Sequence, residues 1–194
     1  LGESKVFLKS RGVDLTLLQI VELYMIMGGI PHYLKQTEPG LSAAQIIDKT
    51  CFSSQGLLRE EFKKLYVSLF DESERNEKIV KTLAKKRHGS TRGEILQSIG
   101  LGSGGSASRR LEELEESGFI LSQIPFGKKV NGTLYRLSDE YSLFYIDWIS
   151  KLGKRSVGDG YWLSQQNSPR RRAWAGYAFE SLCLKHALRL KAAL

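Results

Sequence analysis

Residues 91–137 constrain the fold more than any other stretch of this chain. They begin T-R-G-E-I-L-Q-S-I-G, pass through a glycine-rich turn into G-S-A-S-R-R-L-E-E-L-E-E-S-G-F-I, and end in two short strand-like runs. Thr91 and Glu94 have capping-box spacing, so each side chain can satisfy a backbone N–H at a helix start. Ile95, Leu96 and Ile99 give that helix an apolar face, and Gly100 and Gly102 break it. A second helix starts near Ser106 and carries Ala107, Leu111 and Leu114 on one stripe. Gly118 suits the left-handed position that ends a helix, with Phe119 packing just beyond it. The runs 119–124 and 133–137 read as strands around a turn containing Gly and Lys. Helix, turn, helix, β-ribbon is the order of a winged helix-turn-helix.

The flanks read as helical. Asp14 is placed to cap a helix over 15–27, stopped by Gly28-Gly29, and Pro31 suits the first turn of the next short segment. Ser42 and Gln45 repeat the capping-box spacing. Leu58, Phe62, Leu65, Tyr66 and Leu69 form an amphipathic stripe. Ser73 is placed to cap a helix over 74–87, with Ile79, Val80 and Leu83 facing inward. Ser138 or Asp139 is placed to cap a helix over 140–152 that is apolar on most sides and so buried. Residues 153–173 show little periodicity and read as a basic linker. The last helix, 174–194, sets Phe179, Leu182, Cys183, His186 and Leu190 on one side and ends with the chain, so its packing partner is expected to lie elsewhere. The predicted fold is mainly α: a helical bundle over 1–72 and a winged helix with a small β-ribbon over 73–152.

Composition narrows the class. With 41% hydrophobic and 26% charged residues in 194, the chain fits a globular protein of one or two domains. No run is long enough to span a bilayer, so no membrane partner is expected. Leu1 is not an initiator Met and 1–9 has no signal-peptide pattern, which together with the abrupt K-A-A-L end suggests a segment of a longer cytoplasmic protein. Cys51 and Cys183 lack metal-ligand spacing and read as reduced, buried thiols. The net charge of +8 favours an anionic partner without specifying one.

Few motifs carry chemistry. Gly127-Lys128-Lys129 and Gly153-Lys154-Arg155 lack the glycine spacing and hydroxyl of a phosphate-binding P-loop. His32, His88 and His186 lie far apart without a carboxylate pattern and read as structural or surface residues. In a DNA-binding winged helix, Ser106, Ser108, Arg109 and Arg110 would face base edges while Lys128, Lys129 and Asn131 on the wing reached phosphates. Against this, Glu112, Glu113, Glu115 and Glu116 on the same helix would be repelled by a duplex. A winged helix that works through protein or intramolecular contacts is the competing reading.

The chain resembles the C-terminal half of the archaeal-type P-loop ATPases, AAA+/STAND-like proteins. The resemblance rests on M-G-G-I-P-H-Y-L, L-L-R-E-E-F, the winged helix, T-L-Y-R-L-S-D-E-Y-S-L-F-Y and W-A-G-Y-A-F-E-S-L-C-L-K-H, and covers nearly the whole chain. It implies a helical lid over 1–72, whose Gly-x-Pro turn would pack against the adenine of ATP through Gly29 and Pro31, with Gly28 beside them. It implies that the winged helix relays nucleotide state. It also implies that 174–194 opens a domain similar to the PD-(D/E)xK nucleases, with Glu180 matching an acid that helps hold Mg2+. The ATPase core would lie upstream and be the partner of this segment, with double-stranded DNA and oligomerisation as further partners. Walker motifs are absent here, and one carboxylate cannot hold a catalytic magnesium, so no activity is expected from these residues alone.

Overall fold

The computed structural model describes residues 1–102, 104–152 and 160–192. In chain order the elements are α1 (Gly2–Ser10), α2 (Leu17–Met27), α3 (Pro31–Leu34), α4 (Ala43–Ile47), α5 (Leu57–Leu69), α6 (Ser73–Lys85), β1 (Ser90–Thr91), α7 (Arg92–Ile99), α8 (Gly105–Glu116), β2 (Ile120–Gln123), β3 (Leu134–Leu137), α9 (Glu140–Phe144), α10 (Tyr161–Ser164), α11 (Pro169–Lys185) and α12 (Ala187–Ala192). The protein is mainly helical, with one three-stranded antiparallel sheet of order β1-β3-β2.

The chain forms two compact units. One combines Leu1–Phe62 with Phe144–Leu194, and the other is Lys63–Leu143. The divisions fall inside α5 and at the end of α9, whereas the breaks expected from sequence are at 72 and 152. Helix continuity, which hides a boundary from sequence, is the reason.

The split unit is built around aromatic side chains. Trp148 and Trp162 are fully buried, and Phe144 and Trp174 join them. The Trp148 and Trp162 rings meet edge to face at 4.9 Å, Trp162 and Trp174 at 5.5 Å, and Phe52 stacks on Trp162 at 5.9 Å. Such pairs each add about 0.5–1.5 kcal/mol beyond the area they bury. Asp48, in a π-helical turn over Asp48–Phe52, is buried and ties this core to the start of α10. Its carboxylate accepts the Trp162 N–H at 2.6 Å and the Gly160 N–H.

The 63–143 unit packs α6, α7 and α8 against the sheet. Ile79, Val80, Leu83, Ile95, Leu111, Leu114, Phe119 and Ile120 form its interior. Ile120 pairs with Leu137 and Gln123 with Leu134 across β2 and β3, while Ser90 pairs with Tyr135. The Thr91–Glu94 capping box is present, and Gly100 closes α7 at φ +67°. Beyond α8, Gly118 stands at φ +76° and Phe119 N–H reaches the Leu114 carbonyl, the bond pattern of a glycine-terminated helix. Tyr66 and Ser142 share a buried 3.1 Å hydrogen bond.

Several local expectations change. Thr16 caps α2 in place of Asp14, because Thr16 and Gln19 form a reciprocal capping box. Ser73 lies inside α6, which starts without a side-chain cap. Asp139 accepts the Ser142 N–H at 2.7 Å, but the helix it caps gives way to a π-helical turn over Tyr145–Ile149 and a 3-10 turn over Ser150–Leu152. In the expected linker, 153–159 lie outside the described residues, and the remainder contains α10 and the first residues of α11. Helix α11 also has a partner within the chain. It packs on α2 and buries Trp174, Ala178 and Leu182, leaving Phe179 half exposed. The buried stripe is thus rotated from the one expected and shares only Leu182 with it.

Candidate functional site

The Gly28–Pro31 turn joins α2 to α3. Gly28 ends α2 in the left-handed region at φ +62°, and Pro31 takes the first position of α3. Gly29, at φ +72°, lies under the Tyr24 ring: a Cβ there would meet Tyr24 Cε2 at 2.6 Å and Ser4 Oγ at 3.1 Å. The glycine therefore has a packing reason independent of any ligand. Tyr24 Oη lies 3.4 Å from His186 Nε2, and the two rings meet edge on at 5.9 Å. Burial, followed by nearby Lys185 and Arg189, holds the His186 pKa below its ordinary value. Gly28, Gly29 and Ile30 are half-buried, while Pro31 and His32 are exposed.

The residues read as a DNA-contacting set separate in the structure. Ser106 is exposed, and Arg109 keeps 79% of its side chain exposed while pairing with Glu113 at 3.0 Å. Ser108 is half-buried and accepts a hydrogen bond from Arg92 Nε at 3.1 Å. Arg110 lies apart from the exposed members of the set. It is buried with Ala107, Leu111 and Leu114, and its guanidinium pairs with Glu72 at 2.5 Å. The Arg110 hydrogen bond, with its positive charge, lowers the pKa of Glu72. Lys128 and Lys129 are exposed on the β2–β3 loop. The outer part of α8 carries Glu112 and Glu116, both exposed.

A cleft of about 420 Å³ lies between α8 and the corner joining α5 to α6. Leu69 and Phe70 supply apolar walls, and Asp71, Glu72, Glu113 and Glu116 supply carboxylates. Sequence spacing gave no sign of it, because the corner and α8 are far apart in the chain and meet only on folding.

Glu180 is exposed on α11. Among the described residues no three His, Cys, Asp or Glu side chains gather as a metal site. Sequence reading also missed the charged pair beneath the aromatic core. Arg171 pairs with Glu22, which also accepts the Trp162 Nε1–H at 3.3 Å, and the Arg171 guanidinium stands 4.3 Å over the Trp162 ring. A groove of about 690 Å³ adjoins them, lined by Leu17, Leu18, Val21, Met25, Trp174 and Phe179. The Cys51 thiol is buried, which pushes its pKa up to about 12 and makes it inert. No helix among the described residues is long and apolar enough to cross a membrane.

No protein-family model, no curated protein and no solved structure matches this chain.

Proposed function

We propose that this chain is a regulatory segment of a larger P-loop ATPase, and that its 63–143 unit is a winged helix acting through protein contacts. The single observation that carries the protein-contact reading is the state of α8. Its Arg110 is committed to Glu72 inside the fold, and its outer side is acidic. A duplex would meet Glu112 and Glu116 where a DNA reader needs cations. The element order of α6, β1, α7, α8, β2 and β3, with β3 central, supports the winged-helix assignment.

In this reading the Gly28–Pro31 turn meets the adenine of ATP bound, with Mg2+, to the upstream core. Pro31 is exposed and rigid, and Gly28 and Gly29 let the backbone approach a flat ring. The turn biases the winged helix between two arrangements, which is allostery only if each state binds nucleotide differently. Titration calorimetry of ATP into the parent ATPase and its Pro31→Ala variant tests this. A loss of about tenfold in affinity, or ~1.4 kcal/mol, is expected. Unchanged affinity and unchanged hydrolysis would remove the turn from the nucleotide site.

A DNA-binding winged helix is the second reading, favoured by the exposure of Arg109, Lys128 and Lys129. About five phosphate contacts would give a log–log salt slope near −4.5. A flat salt response, or no binding at low salt, rejects it.

A further inference from the structure

We propose that the tip of the β2–β3 loop is a knob that seats in the α8 cleft of a second copy of this chain. Phe126 is fully exposed on a turn closed by the Lys128 N–H to the Pro125 carbonyl at 3.0 Å, with Gly127 at φ +75°. Ile124 and Val130 flank it, 53% and 76% exposed, and Lys128 and Lys129 follow it. The tip is thus an apolar group held out on a tight turn beside two cations. An aromatic anchor of this kind is a frequent centre of protein interfaces.

The cleft has the matching chemistry. Leu69, 53% exposed, and Phe70 offer apolar walls. Its four carboxylates outnumber the guanidiniums of Arg109 and Arg110 and that of Arg75, which pairs with Glu72 at 2.7 Å, so the cleft keeps a net negative charge that Lys128 and Lys129 complement. Arg110 is part of the cleft wall. It is 6% exposed, lines the cleft, and its Nε has no hydrogen-bond partner. Phe126 does not occupy the cleft of its own chain, since it is fully exposed. Knob and cleft are different patches, so the contact is head to tail and joins copies in series or in a ring. The proposal goes beyond the ATPase reading and needs neither nucleotide nor DNA.

Sedimentation velocity of the purified chain across a wide concentration range tests it. Wild type self-associates, and added salt weakens the association, because charged contacts at the rim are screened. Phe126→Ser weakens it by about tenfold or more, as loss of an interface anchor does. The charge-reversed wing K128E/K129E and the charge-reversed cleft D71K/E116K each associate poorly alone. Mixed, they associate again, because each wing then faces a cleft of opposite sign. All four positions are exposed, so circular dichroism should match wild type. A wild type that stays monomeric, an F126S variant that associates as wild type does, or a mixture without recovery overturns the proposal. Should D71K/E116K fail to fold, F126S and K128E/K129E still decide it.

Discussion

Arg171 on α11 and Glu22 on α2 form an ion pair under Trp162, with only 12% and 23% of their side chains exposed. Both residues also touch that tryptophan, Glu22 through its indole N–H and Arg171 over its ring. The pair therefore locks a late helix onto an early one across 149 positions of sequence.

Removing Arg171 leaves the Glu22 carboxylate without its counter-charge in a half-buried place. We expect Arg171→Ala to destabilise the split unit by about 2 kcal/mol, below the full cost of breaking a deeply buried pair. All three tryptophans belong to this unit, so urea unfolding followed by tryptophan fluorescence reads it alone. A midpoint unchanged from wild type would show the pair to be energetically idle.

Gly29→Ala places a methyl group 2.6 Å from Tyr24 Cε2 on a backbone at φ +72°. Left-handed strain costs an L-residue about 1–2 kcal/mol before any clash. A total near 3 kcal/mol is expected once the Tyr24 ring must move, on the scale of overpacking. The same fluorescence measurement checks it, and a loss under half that size would mean that the ring yields freely.

His186 gives the split unit a pH response. Its folded pKa is depressed below the ordinary value of 6.5, so the unfolded chain binds a proton more readily. Its contribution is present above that value and lost as pH falls through it towards the folded pKa. Wild type should lose stability between about pH 8 and about pH 5 by more than a His186→Gln variant does. Equal losses in the two proteins would rule out this histidine as a source.

Arg110 separates structure from DNA contact. Arg110→Ala breaks the pair with Glu72 and opens space inside the 63–143 unit, so its thermal midpoint by circular dichroism should fall. Glu72 is exposed and is rehydrated easily, so the loss reflects mainly packing of the arginine stem. Any duplex affinity should stay as in wild type, while Arg109→Ala lowers it. An Arg110→Ala protein with normal stability and lost duplex binding would reverse the assignment.

Signals that act within a few residues were legible in the chain itself. The Thr91–Glu94 and Ser42–Gln45 capping boxes, the glycine ends after α2 and α7, Pro31 at a helix start and both β-ribbon strands were predicted and are present, because caps and turns are satisfied by neighbouring backbone. What folding alone decided were the partners distant in sequence. Arg110 looked like a surface cation until Glu72 came within reach, and Asp48 gave no hint of the α10 amides it would accept. Strand β1 is two residues long and exists only because β3 is beside it. Local rules name donors, acceptors and apolar stripes, but which of them meet depends on how distant segments share one core, and that information has no fixed spacing in the sequence.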